Sequence, residues 1–360
     1  MPPRSTRRPG RPARRIRAIC AAMLAVGVSL MAAAPASAVP KEFFGVISLE
    51  HPSASEFNTL GRGRVGTLRF LLYWPTVEPT PGQRVWAPYD ALVENAARNG
   101  IRVMPTIFGS PGFAAGRTQA PPSPAARGAF AQFVGDAVAR YGNGGTFWQQ
   151  NPGVPTLPIT HWQLWNEVSS PSFWSKKPSP KKYGKLLKLT SRTIRGRDPA
   201  ADVVLAGLFT RPMLKRAILI EDYLDGLYEV NKIKKFFDAV AVHPYATKPA
   251  DAIRAVRKVR KVLKQNKDGR TPIWITEAGW ASGGERSRFN VGPAGQAANL
   301  ESLFSSLSAK SASLGIAGVI WYSLRDHVAP DWIFNTGLFE ANGSPKPAWS
   351  SFVRFTGGTP

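Results

Sequence analysis

Between Phe43 and Ser323 the chain alternates short apolar runs with longer segments whose apolar residues recur at spacings of three and four. The runs are Phe43–Ser48, Val65–Leu72, Arg102–Phe108, Thr160–Asn166, Asp202–Gly207, Asp238–His243, Pro272–Glu277 and Ala317–Ser323. Each is apolar on successive positions and rich in β-branched or aromatic residues, as strands covered on both faces are. Between them, Ala91–Asn99 stops at Gly100 and Pro124–Tyr141 stops before Gly142. Ser179-Pro180 supplies an N-cap and a first-turn proline for a helix running towards Arg195. Asp251–Gln265 and Ala294–Ala312 carry the same helical spacing, and the stretch from Leu208 to Val230 has room for two short helices. Strands alternating with helices predict an α/β fold with a parallel sheet. Eight such units predict closure into a (β/α)8 TIM barrel, an architecture that can fill a chain of 360 residues as one domain. An open doubly wound sheet would place a Gly-rich phosphate turn after its first strand, and none follows Ser48.

The first residues follow another pattern. Arg4, Arg7, Arg8, Arg11, Arg14, Arg15 and Arg17 precede an apolar run from Ala18 to Ala34, followed by Ala36-Ser37-Ala38. A basic n-region, an apolar h-region and an A-x-A site compose a secretory signal peptide. The reading is therefore a leader over residues 1–38, a single barrel domain over residues 39–360, and a secreted product with no membrane span after processing. The paired arginines leave the general and twin-arginine export routes both open. Removing the leader takes seven positive charges from a net +24, leaving about +17. Cys20 is the only cysteine and falls within the leader, so the remaining chain has no disulfide, thiol nucleophile or cysteine metal site.

Candidate chemistry sits at the ends of two predicted strands. The fourth ends Leu164-Trp165-Asn166-Glu167 and the seventh ends Ile275-Thr276-Glu277. A carboxylate closing a buried apolar strand is costly unless partnered or used, and barrel chemistry occurs at the C-terminal strand ends. Strands four and seven face each other across a barrel mouth. Two opposed carboxyl groups suit glycoside hydrolysis, where one protonates the leaving oxygen and the other acts on the opposite face. A spacing of ~5–5.5 Å gives retention and ~6.5–9.5 Å gives inversion, and the sequence leaves that spacing open.

Trp165-Asn166-Glu167 together with Ile275-Thr276-Glu277 resembles the motif pair of clan A glycoside hydrolases, with wording most similar to bacterial members of families thirty-nine and five. Val168 departs from the pattern, since many members carry proline there. The resemblance implies an O-glycosidase acting with retention on a poly- or oligosaccharide, with Glu167 as acid/base and Glu277 as nucleophile. It implies that Arg69, a charge inside the second strand, hydrogen-bonds Glu277, and that Asn166 binds the sugar 2-hydroxyl. Tyr245 would donate to Glu277, His243 would be a subsite residue or a satisfied buried histidine, and Trp321 would floor the reacting sugar. Trp74, Trp280 and Trp332, after strands two, seven and eight, are candidate sugar platforms, and Glu78 a structural or subsite acid.

The remaining chemistry is sparse. His51, His161, His243 and His327 show no metal-ligand spacing, so neither metal nor cofactor is expected. Lys176, Lys177, Lys181, Lys182, Lys185 and Lys188 form one basic cluster. Arg254, Arg257, Lys258, Arg260, Lys261 and Lys264 form a second. They read as solvated helix faces or as contacts to an anionic cell-envelope glycan. No nucleic-acid module is recognisable. A non-catalytic glycan-binding barrel and a transglycosylase remain the alternatives to a hydrolase.

Overall fold

The computed structural model describes residues 39–210 and 215–360; the expected leader lies outside the described residues. Nine strands form one parallel sheet: β1 (Phe44–Ser48), β2 (Thr67–Tyr73), β3 (Arg102–Phe108), β4 (His161–Leu164), β5 (Asp202–Val204), β6 (Leu208–Phe209), β7 (Val240–His243), β8 (Ile273–Ala278) and β9 (Ile316–Tyr322). Their order is β5-β4-β3-β2-β1-β9-β8-β7-β6. The β5 and β6 pieces are halves of one stave. β5 pairs with β4 and β6 with β7, while Val204 bridges Ala239 and Asn166 bridges Gly207. These bridges join the two sheet ends and close the (β/α)8 barrel.

The predicted fifth strand is thus interrupted at Leu205-Ala206-Gly207, all buried. Gly207 faces the ring of His243, with which any Cβ at this position would collide. Glycine here is what lets that histidine reach the barrel mouth.

Two apolar layers hold the barrel together. Inside it, Ile47, Met104, Val204, Ala241, Trp274 and Ile320 form a compact plug. Outside, a much larger core lies between the strands and the helices α1 (Ala54–Arg62), α2 (Trp74–Val77), α3 (Ala87–Arg98), α4 (Arg127–Tyr141), α5 (Thr146–Gln150) and α6 (Pro180–Arg197), continuing over α7 (Ile220–Tyr228), α8 (Pro249–Gln265), α9 (Gly292–Ala309), α10 (Ser311–Leu314) and α11 (Pro347–Thr356). Because both strand faces are buried, the strands read as apolar throughout rather than alternating.

Most helix boundaries fall near those expected. The Ser179 hydroxyl accepts from the Lys182 amide, so α6 has the expected cap. The run expected over Ala294–Ala312 breaks at Lys310 into α9 and α10. Between Leu208 and Val230 the described residues contain β6 and the single helix α7 rather than two helices. The helix α1 was not anticipated, although Ser53 and Glu56 form a full capping box at its start. Among the described residues no helix is long and apolar enough to cross a membrane.

Candidate active site

Glu167 and Glu277 project into one cavity of about 1110 Å³ at the C-terminal ends of the strands. Each reaches it through irregular backbone. After β4, Trp165 and Glu167 both take positive φ, 74° and 35°, on either side of Asn166. Such conformations cost about 1–3 kcal/mol each in non-glycine residues, and surrounding contacts must hold them. The indole of Trp165 does so from below, buried against Phe108, Phe130 and Trp174. In β8 the pairing with β9 slips between Ile275 and Ala278. A slip of this kind re-aims the bulged residue, and here Thr276 and Glu277 both face into the site.

Arg69 organises the floor. Completely buried, it donates from Nη1 to Glu277 Oε1 at 2.8 Å, from Nε to Gln163 Oε1 at 2.8 Å and from Nη2 to Asn166 Oδ1 at 3.1 Å. The Tyr245 hydroxyl donates to the other oxygen of Glu277 at 3.0 Å. His243 joins the two acids: Nδ1 lies 2.9 Å from Glu167 Oε1 and 3.4 Å from Glu277 Oε2, and Nε2 lies 3.0 Å from the Thr276 hydroxyl. Nδ1 lies between the two carboxyl groups, while Nε2 meets a hydroxyl that can either donate or accept.

Burial alone would push the Glu277 carboxyl pKa up. Attraction to His243 and Arg69, together with the hydrogen bonds from Arg69 and Tyr245, outweighs burial, and the net shift is downward. Burial and the adjacent Glu277 charge push Tyr245 well above the ordinary phenol range, so it stays a donor. Glu277 is therefore held as an ionised carboxylate, oriented by Arg69 and Tyr245 at the cavity.

One ligand atom each from Glu167, His243 and Glu277 fall within 4.8 Å of one another. These three donor types could ligate a metal. The guanidinium already seated on Glu277 opposes a second cation there, so the group fits a carboxylate pair better. At least one oxygen of each acid lies within 4.8 Å of an oxygen of the other, which is compatible with the ~5–5.5 Å carboxyl spacing of retaining glycosidases.

Several expected contributors lie elsewhere. Trp74 is fully buried, stacked near Phe133, and its indole nitrogen donates to Glu78 at 2.8 Å. Glu78 also accepts from the Gly82 amide and Arg84, so it staples its own loop. Trp280 is likewise buried, 6.1 Å from the Trp321 ring. Neither of these tryptophans is a sugar platform. Trp321 is fully buried against Phe304 of α9 and donates to the Thr336 carbonyl, outside the barrel. Strand alternation instead turns its neighbour Tyr322 into the cavity. Trp332 does line it, stacked on Phe289 at 4.2 Å and edge-on to Tyr245. His243, with no exposed surface, joins the carboxylates as a buried histidine rather than presenting itself as an open subsite.

Gln163 and Thr276 were not anticipated as site residues. Gln163 carries the same signal as Arg69, a polar side chain inside an apolar strand, and it accepts from both Arg69 and Thr106.

Solved structures of similar fold include a family 39 glycoside hydrolase from Bacteroides cellulosilyticus WH2, 22% identical with a TM-score of 0.66, covering 88% of this chain and 65% of that one. A GH5 protein from Streptomyces cattleya in complex with GlcNAc is 14% identical over 88% of this chain and 82% of its own, with a TM-score of 0.64. The native xylanase 10B from Thermotoga maritima is 15% identical over 88% of this chain and 96% of its own, with a TM-score of 0.61. The chain thus spans just under two thirds of the length of the family 39 protein. No protein-family model matches the sequence. No curated protein matches it either. At these identities the likeness establishes the fold: this is the barrel on which glycoside hydrolases of families 39, 5 and 10 are built.

Proposed function

We propose that the protein is an exported O-glycosidase that cleaves a β-linked glycoside with retention of configuration. The observation that carries this reading is the approach of Glu167 and Glu277 within 4.8 Å, with Glu277 bonded to Arg69 and Tyr245. In the first step a Glu277 oxygen bonds the anomeric carbon as the glycosidic C–O bond breaks, and Glu167 delivers its proton to the departing oxygen. In the second, Glu167 takes a proton from water, whose oxygen bonds the anomeric carbon and releases Glu277. With its Oδ1 held by Arg69, Asn166 turns its amide donors towards the cavity, where a sugar 2-hydroxyl would sit. Trp332 and Tyr322 offer aromatic faces for the C–H faces of sugar rings.

A purely glycan-binding barrel has no use for a buried Arg–Glu pair aimed into a cavity, because breaking or desolvating such a pair is costly. Transfer to a sugar acceptor would use the same residues with a different second nucleophile. The Arg-rich stretch, the apolar run and Ala36-Ser37-Ala38 support export. The two Lys/Arg clusters support adhesion to an anionic glycan, except for Arg260, which is buried and donates to the carbonyls of Leu314, Gly269 and Gly315. Adhesion of this kind should fade as salt rises.

Glu277→Gln and Glu167→Ala are each expected to lower turnover on a panel of aryl β-glycosides by several orders of magnitude. Wild-type rates for Glu277→Gln would refute the nucleophile assignment.

A further inference from the structure

The cavity wall is divided by chemistry, and the division matches the division of labour between the two acids. Glu277 lies at the end of β8, and the loops after β8 and β9 bring Glu285, Ser287, Arg288, Asp331 and Trp332 to the cavity. Phe289, Ile333 and Phe334 share this arc, yet it offers charges, a hydroxyl and a stacking ring, the groups that read sugar hydroxyls. The wall running from β1 through β4 to β6 differs. It is formed by Ile47, Leu49, Leu71, Phe108, Phe173 and Phe209. Phe108 closes β3, Phe173 lies in the loop after Glu167, and Phe209 closes β6, so aromatic side chains stand on both flanks of the acid/base stave. Apart from Asn166 and Glu167, the polar side chains that the described residues bring to this wall are Ser170 and Ser172, and the Ser170 hydroxyl already accepts from the Ser172 amide.

The leaving group departs on the side of the proton donor. A sugar there would bring several hydroxyl groups against a wall whose described residues offer few partners, and a buried hydroxyl left unpaired is costly. An alkyl or aryl group would instead bury apolar area at a gain. We infer that the physiological substrate is a glycoside with an apolar aglycone, an alkyl, lipid or aryl group seated between Phe108, Phe173 and Phe209, with its sugar on the Glu277 side. This rests on the retaining-glycosidase reading above.

The test is the purified chain with methyl, butyl, hexyl and octyl β-D-glucosides, galactosides, mannosides and xylosides. Within each sugar series the leaving alcohols are of comparable acidity, so chain length varies apolar contact. Release of sugar should show kcat/KM rising about two- to fourfold per added methylene until the wall is covered, from a transfer gain near 0.8 kcal/mol per fully buried methylene. In Phe173→Ala that increment should shrink. Calorimetric binding of the same series reads the wall independently of turnover. If the enzyme cleaves glycosides but shows no chain-length increment in rate or affinity, or prefers a second sugar to hexyl, the apolar-aglycone inference is overturned and the glycosidase reading stands. If affinity rises with chain length but nothing is cleaved, the glycosidase reading falls and the apolar wall is upheld. If neither binding nor cleavage responds, both are overturned.

Discussion

Replacing Arg69 with methionine removes the one guanidinium that holds Glu277 from below while nearly conserving side-chain length. The two groups are 2.8 Å apart, with Arg69 wholly buried and Glu277 8% exposed. Unit charges whose centres are some 4 Å apart attract by about 4 kcal/mol at an effective dielectric near 20. Breaking a buried pair by removing one partner typically costs about 3–5 kcal/mol. Gln163 and Asn166 also lose their donor. The loss should depend on pH. In the native protein Glu277 is shifted downward, so its contribution to stability is fully present above the ordinary glutamate value of about 4.3. It is lost as pH falls through the lowered folded value. In Arg69→Met burial faces less opposition, Glu277 takes up a proton at higher pH, and the penalty is largest near neutrality. Urea denaturation at several pH values should show the stability gap between variant and wild type narrowing as pH falls. The acid limb of kcat/KM against pH should move upward. Adding Glu277→Gln to Arg69→Met should recover part of the lost stability, because no buried charge then remains unpaired. A gap independent of pH, an acid limb that does not move, or a double variant no more stable than Arg69→Met would refute this account of the pair.

Tyr245→Phe removes one hydrogen bond to Glu277 and should lower kcat about tenfold to a hundredfold, with a smaller upward move of the same acid limb; an unchanged pH profile would count against an orienting role. Trp332→Ala should raise KM with little loss of thermal stability, since this ring lines the cavity. Trp321→Ala should do the reverse, costing about 3–5 kcal/mol by emptying a core position; a KM effect from Trp321→Ala without destabilisation would return that residue to the sugar site.

The barrel was legible because eight apolar runs separated by helical spacing leave few architectures open. The glutamates were legible because each is a charge ending such a run, and Arg69 because a lone cation inside a strand must have a partner. Strand register was not legible. Trp321 and Tyr322 differ by one position, and the alternation that would say which faces inward is hidden when both faces are apolar. The slip in β8 that turns Glu277 into the mouth depends on pairing with β9, which no local pattern encodes. Trp74 and Trp280 fall in loops by sequence, yet Trp74 opens helix α2 and both rings pack into the outer core, where their depth depends on Phe133 and Trp321, residues far along the chain. The helix α1 was legible in Ser53-Ala54-Ser55-Glu56, but its two buried anchors, Phe57 and Leu60, give too short a stripe to draw attention.

The central claim is that Glu277 forms the bond to the anomeric carbon while Glu167 manages the proton. A panel of 2-deoxy-2-fluoro glycosides with good leaving groups tests it directly, because the fluorine slows breakdown of a glycosyl-enzyme. Digestion and mass spectrometry should then find one sugar attached to the peptide carrying Thr276-Glu277-Ala278, and none when Glu277 is replaced by glutamine. A sugar attached at any other residue, or turnover that yields the inverted anomer with no adduct, would contradict it.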